Sequence, residues 1–487
     1  MLKFRVVSKI VGVLLIVLGT LMLTALPFSF YYQSGDAGAI SGAALITIMV
    51  GAFLWWYQSS DEKNVGKREG YLIVSLGWLA MSLFSTLPYL LSGQMPDLAH
   101  AFFESVSGLT TTGASVINDI EAVPKGILFW RSMTQWIGGM GIIVLTVALL
   151  PLLGIGGVEL FVAEAPGPTS DKIHPRIKET AKRLWGLYVG ITVLLGVLLY
   201  FSGMNFYDAI NHALTTMATG GFSTKNASIA YYNTPLIQYI LAFFMFIAGT
   251  NYTIIYFGAK GNFKRVWKSD EFKTYLGLVL FLMILTTLMV HSATDNPFEQ
   301  SFRDASFQVI SLITTTGFVS ADYTSWSPTL TLIFFSLLFV GASAGSTAGG
   351  IKIIRHLALV KNTLLEFKRL LHPRALVRTK IDKQIVAPRV MTHILVFLLI
   401  YLGIFFFGSI IMTVILSDFE YPLLTAMGAT ATAIGNVGPG IGEVGPVNNF
   451  FAIPNSGKWF LSFLMLLGRL ELFTILILFM PYFWKAN

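Results

Sequence analysis

Thr110-Thr111-Thr112-Gly113, Ala218-Thr219-Gly220-Gly221, Thr314-Thr315-Thr316-Gly317 and Thr432-Ala433-Ile434-Gly435 are four short stretches at similar places in an otherwise apolar chain. Their final glycines stand 108, 96 and 118 residues apart, so the chain reads as about four copies of one unit. Each glycine closes a half-length apolar segment and precedes a full-length one. That layout suits a loop that enters a membrane and turns back, and four such loops would ring one pore.

The composition fixes the class around them. Of 487 residues, 54% are hydrophobic and 12% charged, so most of the chain must face lipid or other buried helices. Lipid offers no hydrogen-bond partners, and the apolar runs are continuous rather than alternating, which selects helices over a barrel. The expected fold is an all-α integral membrane protein. With no cysteine, disulfides, thiol chemistry and thiolate metal sites are excluded.

Ten segments reach the ~20 apolar residues that one pass requires, beginning near Ile10, Ala39, Gly70, Leu128, Leu184, Pro235, Thr274, Pro328, Met391 and Gly457. The first follows Lys3, Arg5 and Lys9 and outlasts the ~7 to 15 residues of a signal-peptide core, so it reads as a retained span. On this topology 27 of the 33 Lys and Arg residues share one face, ten of them between Lys352 and Arg389. That face, with both termini, is cytoplasmic by the positive-inside rule. The net charge of +8 therefore reports topology, and no aromatic-interleaved basic cluster points to nucleic acid. Thirteen acids, among them Asp36, Asp97, Glu104, Asp208 and Asp304, oppose four bases on the outer face. Such a vestibule would concentrate cations, although exported loops that merely lack Lys and Arg explain part of the asymmetry.

Each copy reads as span, half-helix, loop, span. The half-helices are Leu98 to Leu109, Phe206 to Thr216, Phe302 to Ile313 and Tyr421 to Thr430. The organisation is two N-terminal spans over 1–69, a first repeat over 70–153, and a cytoplasmic loop with the second repeat over 154–259. A third follows over 260–356, and the basic segment with the fourth repeat occupies 357–487.

Irregular backbone at membrane depth is tolerated only where protein or a water-filled cavity surrounds it, so each loop should line a pathway. The half-helix adds about half a negative elementary charge at its C-terminal end, which favours cations. Glycine lets successive carbonyls turn toward an axis, threonine adds a hydroxyl oxygen, and a ring of such oxygens can replace the water shell of a monovalent ion. An ordinary helix C-cap is the simpler account of any single Thr-Thr-Thr-Gly; four at one structural position favour pore loops.

On these residues the chain resembles the Trk/Ktr/HKT potassium-transporter family, in its TrkH-like branch with two additional N-terminal spans. The resemblance covers Gly70 to Trp484 as four repeats. It implies potassium uptake across the bacterial cytoplasmic membrane, with no enzymatic chemistry and no cofactor in this chain. It assigns the filter glycines as Gly113, Gly221, Gly317 and Gly435, with potassium held by the four quoted stretches and Asn436. The second strand departs from the pattern at Gly220, and the fourth at Ala433-Ile434.

The span after the third filter is interrupted by Gly341 to Gly350, whose glycines weaken a helix. Close helix packing by small residues is the alternative. The resemblance implies a gating loop beneath the filter, comprising Gly345, Ser346, Thr347, Ala348, Gly349, Gly350 and Lys352. Ile351 follows Gly350 where a phosphate loop needs lysine, and no strand precedes Gly435 to Gly440, so both nucleotide motifs fail. Arg469, ~18 Å along its helix from Gly457, lies near mid-membrane, where a charge is a functional candidate by default. The resemblance points it into the pore. Glu471, two positions on, should face elsewhere. Arg131 reads as an interface anchor, and Asp208 and Asp304 as caps of half-helices. The seven dispersed histidines suggest no metal site.

The basic segment from Lys352 to Arg389 is too short for a catalytic domain and suits membrane lipid or a docked protein. The resemblance implies a homodimer and a cytosolic TrkA-type regulatory ring that alone carries nucleotide. Two other readings stay open: a less selective potassium and sodium pathway, and a proton-coupled symporter.

Overall fold

The computed structural model describes residues 2–57, 66–144, 177–372 and 378–485. The basic positions Lys63, Lys172 and Arg176 lie outside them, as does the end of the span expected from Leu128 to Leu150.

The regular structure of the described residues is almost wholly helical. The chain opens with α1 (Phe4–Met22), α2 (Leu26–Tyr31), α3 (Ala37–Tyr57), α4 (Lys67–Ser85) and α5 (Leu87–Leu91). A short helix α6 (Leu98–Leu109) and a longer α7 (Lys125–Val144) follow. Next come α8 (Ile177–Phe201), α9 (Phe206–Met217), α10 (Pro235–Ala248), α11 (Tyr252–Ala259) and α12 (Phe263–Val266). The third section holds α13 (Asp270–Ala293), α14 (Phe298–Ile313), α15 (Pro328–Leu337) and α16 (Ile353–Leu371). A two-stranded antiparallel hairpin, β1 (Lys380–Ile381) with β2 (Gln384–Ile385), precedes α17 (Pro388–Ile415). The last helices are α18 (Pro422–Gly435), α19 (Asn455–Arg469), α20 (Phe473–Leu476) and α21 (Pro481–Trp484).

Six described helices are long and apolar enough to cross a membrane, and two bent pairs raise that number to eight. The bent pairs are α10 with α11, turning by 110°, and α19 with α20, turning by 109°. Many large apolar side chains on the long helices point outward, Phe281, Leu399 and Val414 among them. In water such a surface would be untenable; in a bilayer it is the solvent-facing surface. The chain is therefore a multi-pass membrane protein.

The N-terminal helices show how the packing is achieved. Lipid supplies no hydrophobic drive between helices, so close backbone approach carries their association. Gly12 of α1 faces Gly51 of α3, and a Cβ on Gly51 would lie 2.7 Å from the Gly12 carbonyl. Gly19 repeats the approach, 3.0 Å from the Ala44 carbonyl by the same measure. Gly51→Leu is expected to lower stability in detergent by about 1–3 kcal/mol through overpacking. Gly38→Leu, where nothing lies within 4 Å, is the control that should leave the melting temperature unchanged.

Candidate ion pathway

Four short helices, α6, α9, α14 and α18, each end at a buried loop. Asp97 starts α6 by accepting the Ala99 N–H at 2.7 Å, and Asn205 starts α9 by accepting that of Asp208 at 2.8 Å. Asp208 is thus not the cap. It stands one turn in, accepts Thr224 Oγ1 at 2.6 Å and the Tyr232 hydroxyl at 2.8 Å, and so ties the chain leaving the second loop to α9. Asp304 is not a cap either, because α14 begins at Phe298 and places it mid-helix.

The loops share one backbone pattern. A left-handed residue ends the helix, and a left-handed glycine follows two positions later: Thr111 and Gly113, Thr219 and Gly221, Thr315 and Gly317, Asn436 and Gly438. The amide between them donates back into the helix, Thr112 to Ser107, Gly220 to Thr215, Thr316 to Ser311 and Val437 to Thr432. This corrects the fourth loop. Thr432, Ala433, Ile434 and Gly435 form the last turn of α18, where alanine extends a helix more readily than threonine does. Gly438, not Gly435, takes the place of Gly113, and the residues overlooked are Val437 and Gly438. The alternating positive φ is the signature that aligns them, and only asparagine with a glycine two positions on hints at it in sequence.

Each glycine faces the next loop. A Cβ added to Gly113 would strike the Gly220 carbonyl oxygen, one on Gly221 that of Thr316, and one on Gly317 that of Val437. One on Gly438 would lie 2.8 Å from the Thr112 oxygen. First abuts second, second third, third fourth, and fourth first: the circuit closes. Thr110, Thr111, Thr112, Thr219, Thr314, Thr315, Thr316 and Asn436 are fully buried in it.

Between α15 and α16 the chain leaves helical geometry, and residues 341–350 run beside the second, third and fourth loops. Gly349 N–H donates to Thr315 Oγ1 at 2.7 Å, and Thr347 Oγ1 donates to the Met217 carbonyl at 3.1 Å and meets Thr219 Oγ1 at 3.2 Å. Gly345 has φ of +70° and Gly350 of +65°, and Ser346 Oγ closes the turn onto the Ser343 carbonyl at 2.6 Å. Lys352 folds its ammonium onto the Ala348 and Gly349 carbonyls. Arg469 Nη1 donates to the Thr347 carbonyl at 2.8 Å, and its Nη2 to that of Gly138 at 2.7 Å. This guanidinium therefore bridges the irregular segment, α19 and α7. Glu471, beyond the break after α19, pairs with Arg355 at the start of α16.

A family model described as TrkH, cation transport protein, matches residues 38–295 and 291–485. The chain belongs to that family. It is 39% identical to the Trk system potassium uptake protein TrkH of Salmonella typhimurium, over 99% of both chains. Against the protein of the same name from Vibrio parahaemolyticus the figure is 38%, over 99% of this chain and 100% of the other. The Trk system potassium uptake protein TrkG of Escherichia coli is 33% identical, over 99% of both. The crystal structure of the potassium transporter TrkH from Vibrio parahaemolyticus superposes with a TM-score of 0.89 at 36% identity, covering 99% of this chain and 100% of that one.

Within this member of the family, Arg131 is no interface anchor. It is 2% exposed, and its Nε donates to Glu104 Oε1 at 2.6 Å while Nη1 donates to the Ser223 carbonyl at 3.1 Å. Glu104 also accepts the Val116 N–H at 2.8 Å. With Asp36 bonded to the Ile127 N–H at 2.8 Å and Asp208 committed to its own loop, three of the thirteen acids expected on the outer face are buried structural fixtures, which weakens the expectation of a cation-concentrating vestibule. Among the described residues no group of His, Asp and Glu could hold a metal ion.

Proposed function

We propose that the chain takes up potassium through a pore at the four-loop circuit, a passive pathway gated from within the membrane. The observation that carries the reading is the closed succession of Gly113, Gly221, Gly317 and Gly438, each against the carbonyl of the next loop. Main-chain oxygens crowded at the C-terminal ends of four helices, in a buried polar zone, are the chemistry that substitutes for a cation's hydration shell. Thr111 Oγ1, buried and without a hydrogen-bond partner, is a further oxygen available there. The relatives named for potassium uptake supply the ion.

The finer architecture belongs to the same reading. Ten passes with both termini cytoplasmic, four pseudo-repeats and two added N-terminal spans accommodate every long, bent or broken helix described above. Residues 341–350 form the gate, tied by Arg469 and Lys352. On this reading a TrkA-type cytosolic nucleotide-binding partner docks on the Lys352 to Arg389 segment, in a homodimer bounded by lipid, and acts on the gate through α16; the word system in the relatives' name supports a further component, and the basic segment offers it a surface. Glu471 is engaged by Arg355, which makes it a poor proton carrier and favours passive flux over symport.

Purified protein in liposomes is expected to pass potassium and rubidium faster than sodium, with no dependence on a proton gradient. Absence of potassium flux with and without the cytosolic partner would overturn the reading, and uptake that stops when the proton gradient is collapsed would establish a symporter.

A further inference from the structure

We propose that Gln135 is a specificity-determining positioning residue, which clasps the second loop at Gly220 and Phe222 and so sets the preference of the carbonyl circuit for potassium over sodium. The inference rests on the pore reading above.

The second loop is built differently from the other three. At the ring position Thr112, Thr316 and Val437 are β-branched, whereas the second loop has Gly220. The first and third loops also brace themselves with a hydroxyl pair, Thr110 to Thr112 at 2.7 Å and Thr314 to Thr316 at 2.8 Å. Ala218 and Gly220 can make no such pair. In its place stands the side chain of Gln135, fully buried on α7. Its Nε2 donates to the Gly220 carbonyl at 2.6 Å, and its Oε1 accepts the Phe222 N–H at 3.0 Å. A Cβ on Gly220 would fall onto Gln135 Cδ. The glycine and the glutamine are therefore one device: the amide occupies the room that a threonine fills elsewhere. Arg131, one turn earlier on α7, holds Ser223 by its carbonyl, so a single helix grips three nearby residues of the strand.

The consequence for ions follows from the carbonyl's two lone pairs. One is taken by Gln135, which leaves the other for an ion and weakens the field that oxygen presents. The same bond pins the oxygen against moving inward. A smaller sodium ion needs a contracted site or a stronger field, so both effects disfavour it. The other three oxygens have no such tether among the described hydrogen bonds, and selectivity is correspondingly unequal among the four loops.

The test is competitive potassium, rubidium and sodium uptake into proteoliposomes. Gln135→Leu is expected to raise the sodium-to-potassium uptake ratio on the order of ten-fold, the scale of one buried hydrogen bond, with potassium uptake retained. Gly220→Ala, whose Cβ evicts the amide, should raise it similarly. The double variant Gln135→Ala with Gly220→Thr relieves the collision and gives the second loop the side chain the first and third possess; Gly220 has no left-handed φ to forbid it. It still leaves the oxygen at position 220 without its amide donor, and Ala218 offers no hydroxyl to brace the new threonine, so the ratio should stay raised as in Gln135→Leu. An unchanged ratio in Gln135→Leu overturns the inference; if that variant does not fold, an unchanged ratio in Gly220→Ala does so. Wild-type protein that passes no potassium at all would instead overturn the pore reading.

Discussion

Replacing Arg131 with methionine is expected to cost about 3–5 kcal/mol of stability, the penalty for leaving one partner of a buried pair uncompensated. Glu104 is 0% exposed and would face only the Ser115 hydroxyl at 3.0 Å and the Val116 N–H at 2.8 Å. The loss reaches beyond the pair, because the guanidinium also holds the Ser223 carbonyl and lies 3.4 Å from the centre of the Phe222 ring. The first and second loops are joined through it. Removing both charges, by Glu104→Gln with Arg131→Met, should recover most of the stability, since no uncompensated charge is left buried and the amide at position 104 keeps the Ser115 and Val116 donors. Lys225 is the contrasting case. Its ammonium is 4.0 Å from Glu121 and 3.7 Å from Asp208 at a partly exposed site, so Lys225→Met should shift stability by about 1 kcal/mol or less. Thermal unfolding in detergent checks the series, and equal losses for Arg131→Met and Lys225→Met would contradict the buried-pair account.

The contrast between Arg131 and Asn436 shows what a sequence of this kind reveals. Hydropathy, loop chemistry and the distribution of Lys and Arg are one-dimensional signals, and the helices and the first three loops are legible from them. Leu98 to Leu109 is recovered to the residue because a capping aspartate and a terminal threonine run mark both ends. The fourth loop lies three residues beyond the sequence motif, because Thr432-Ala433-Ile434-Gly435 imitates the threonine motif while its backbone remains helical. What identifies the true position is a pair of left-handed residues, and φ is not written in residue identity except where glycine or asparagine stands. Arg131, Gln135 and Glu104 are illegible for a different reason. Their roles depend on contacts 27 to 92 residues away in the chain, so Arg131 reads as an interface anchor, Glu104 as one more outer-face acid and Gln135 as nothing in particular, when tertiary packing places all three behind the loops. Glu471 follows the same rule: it does not reach Arg469, but Arg355 comes to it from α16.

Replacing Arg469 with alanine is expected to raise potassium flux on the order of ten-fold or more. Two effects act in the same direction. The guanidinium places a positive charge beside Thr347, whose hydroxyl touches Thr219 of the second loop, so it sits next to the circuit proposed to carry potassium. In general, two like unit charges ~8 Å apart at an effective dielectric near 20 repel by about 2 kcal/mol, roughly 30-fold in occupancy, which is the scale a nearby guanidinium can reach. The second effect is mechanical, since the side chain spans from the Thr347 carbonyl to that of Gly138 and so fastens residues 341–350 to α7. Arg469→Lys separates them. Lysine keeps the charge but lacks the rigid fork that reaches two carbonyls at once, so a dominant barrier of charge leaves flux near wild type, while a dominant tether raises it toward the alanine level. Uptake by Arg469→Ala no greater than wild type, at equal reconstitution, would remove Arg469 from the gate altogether. The arrangement would then be read as helix packing around a glycine-rich break, with control of permeation lodged in the Gly349 contact to Thr315 instead.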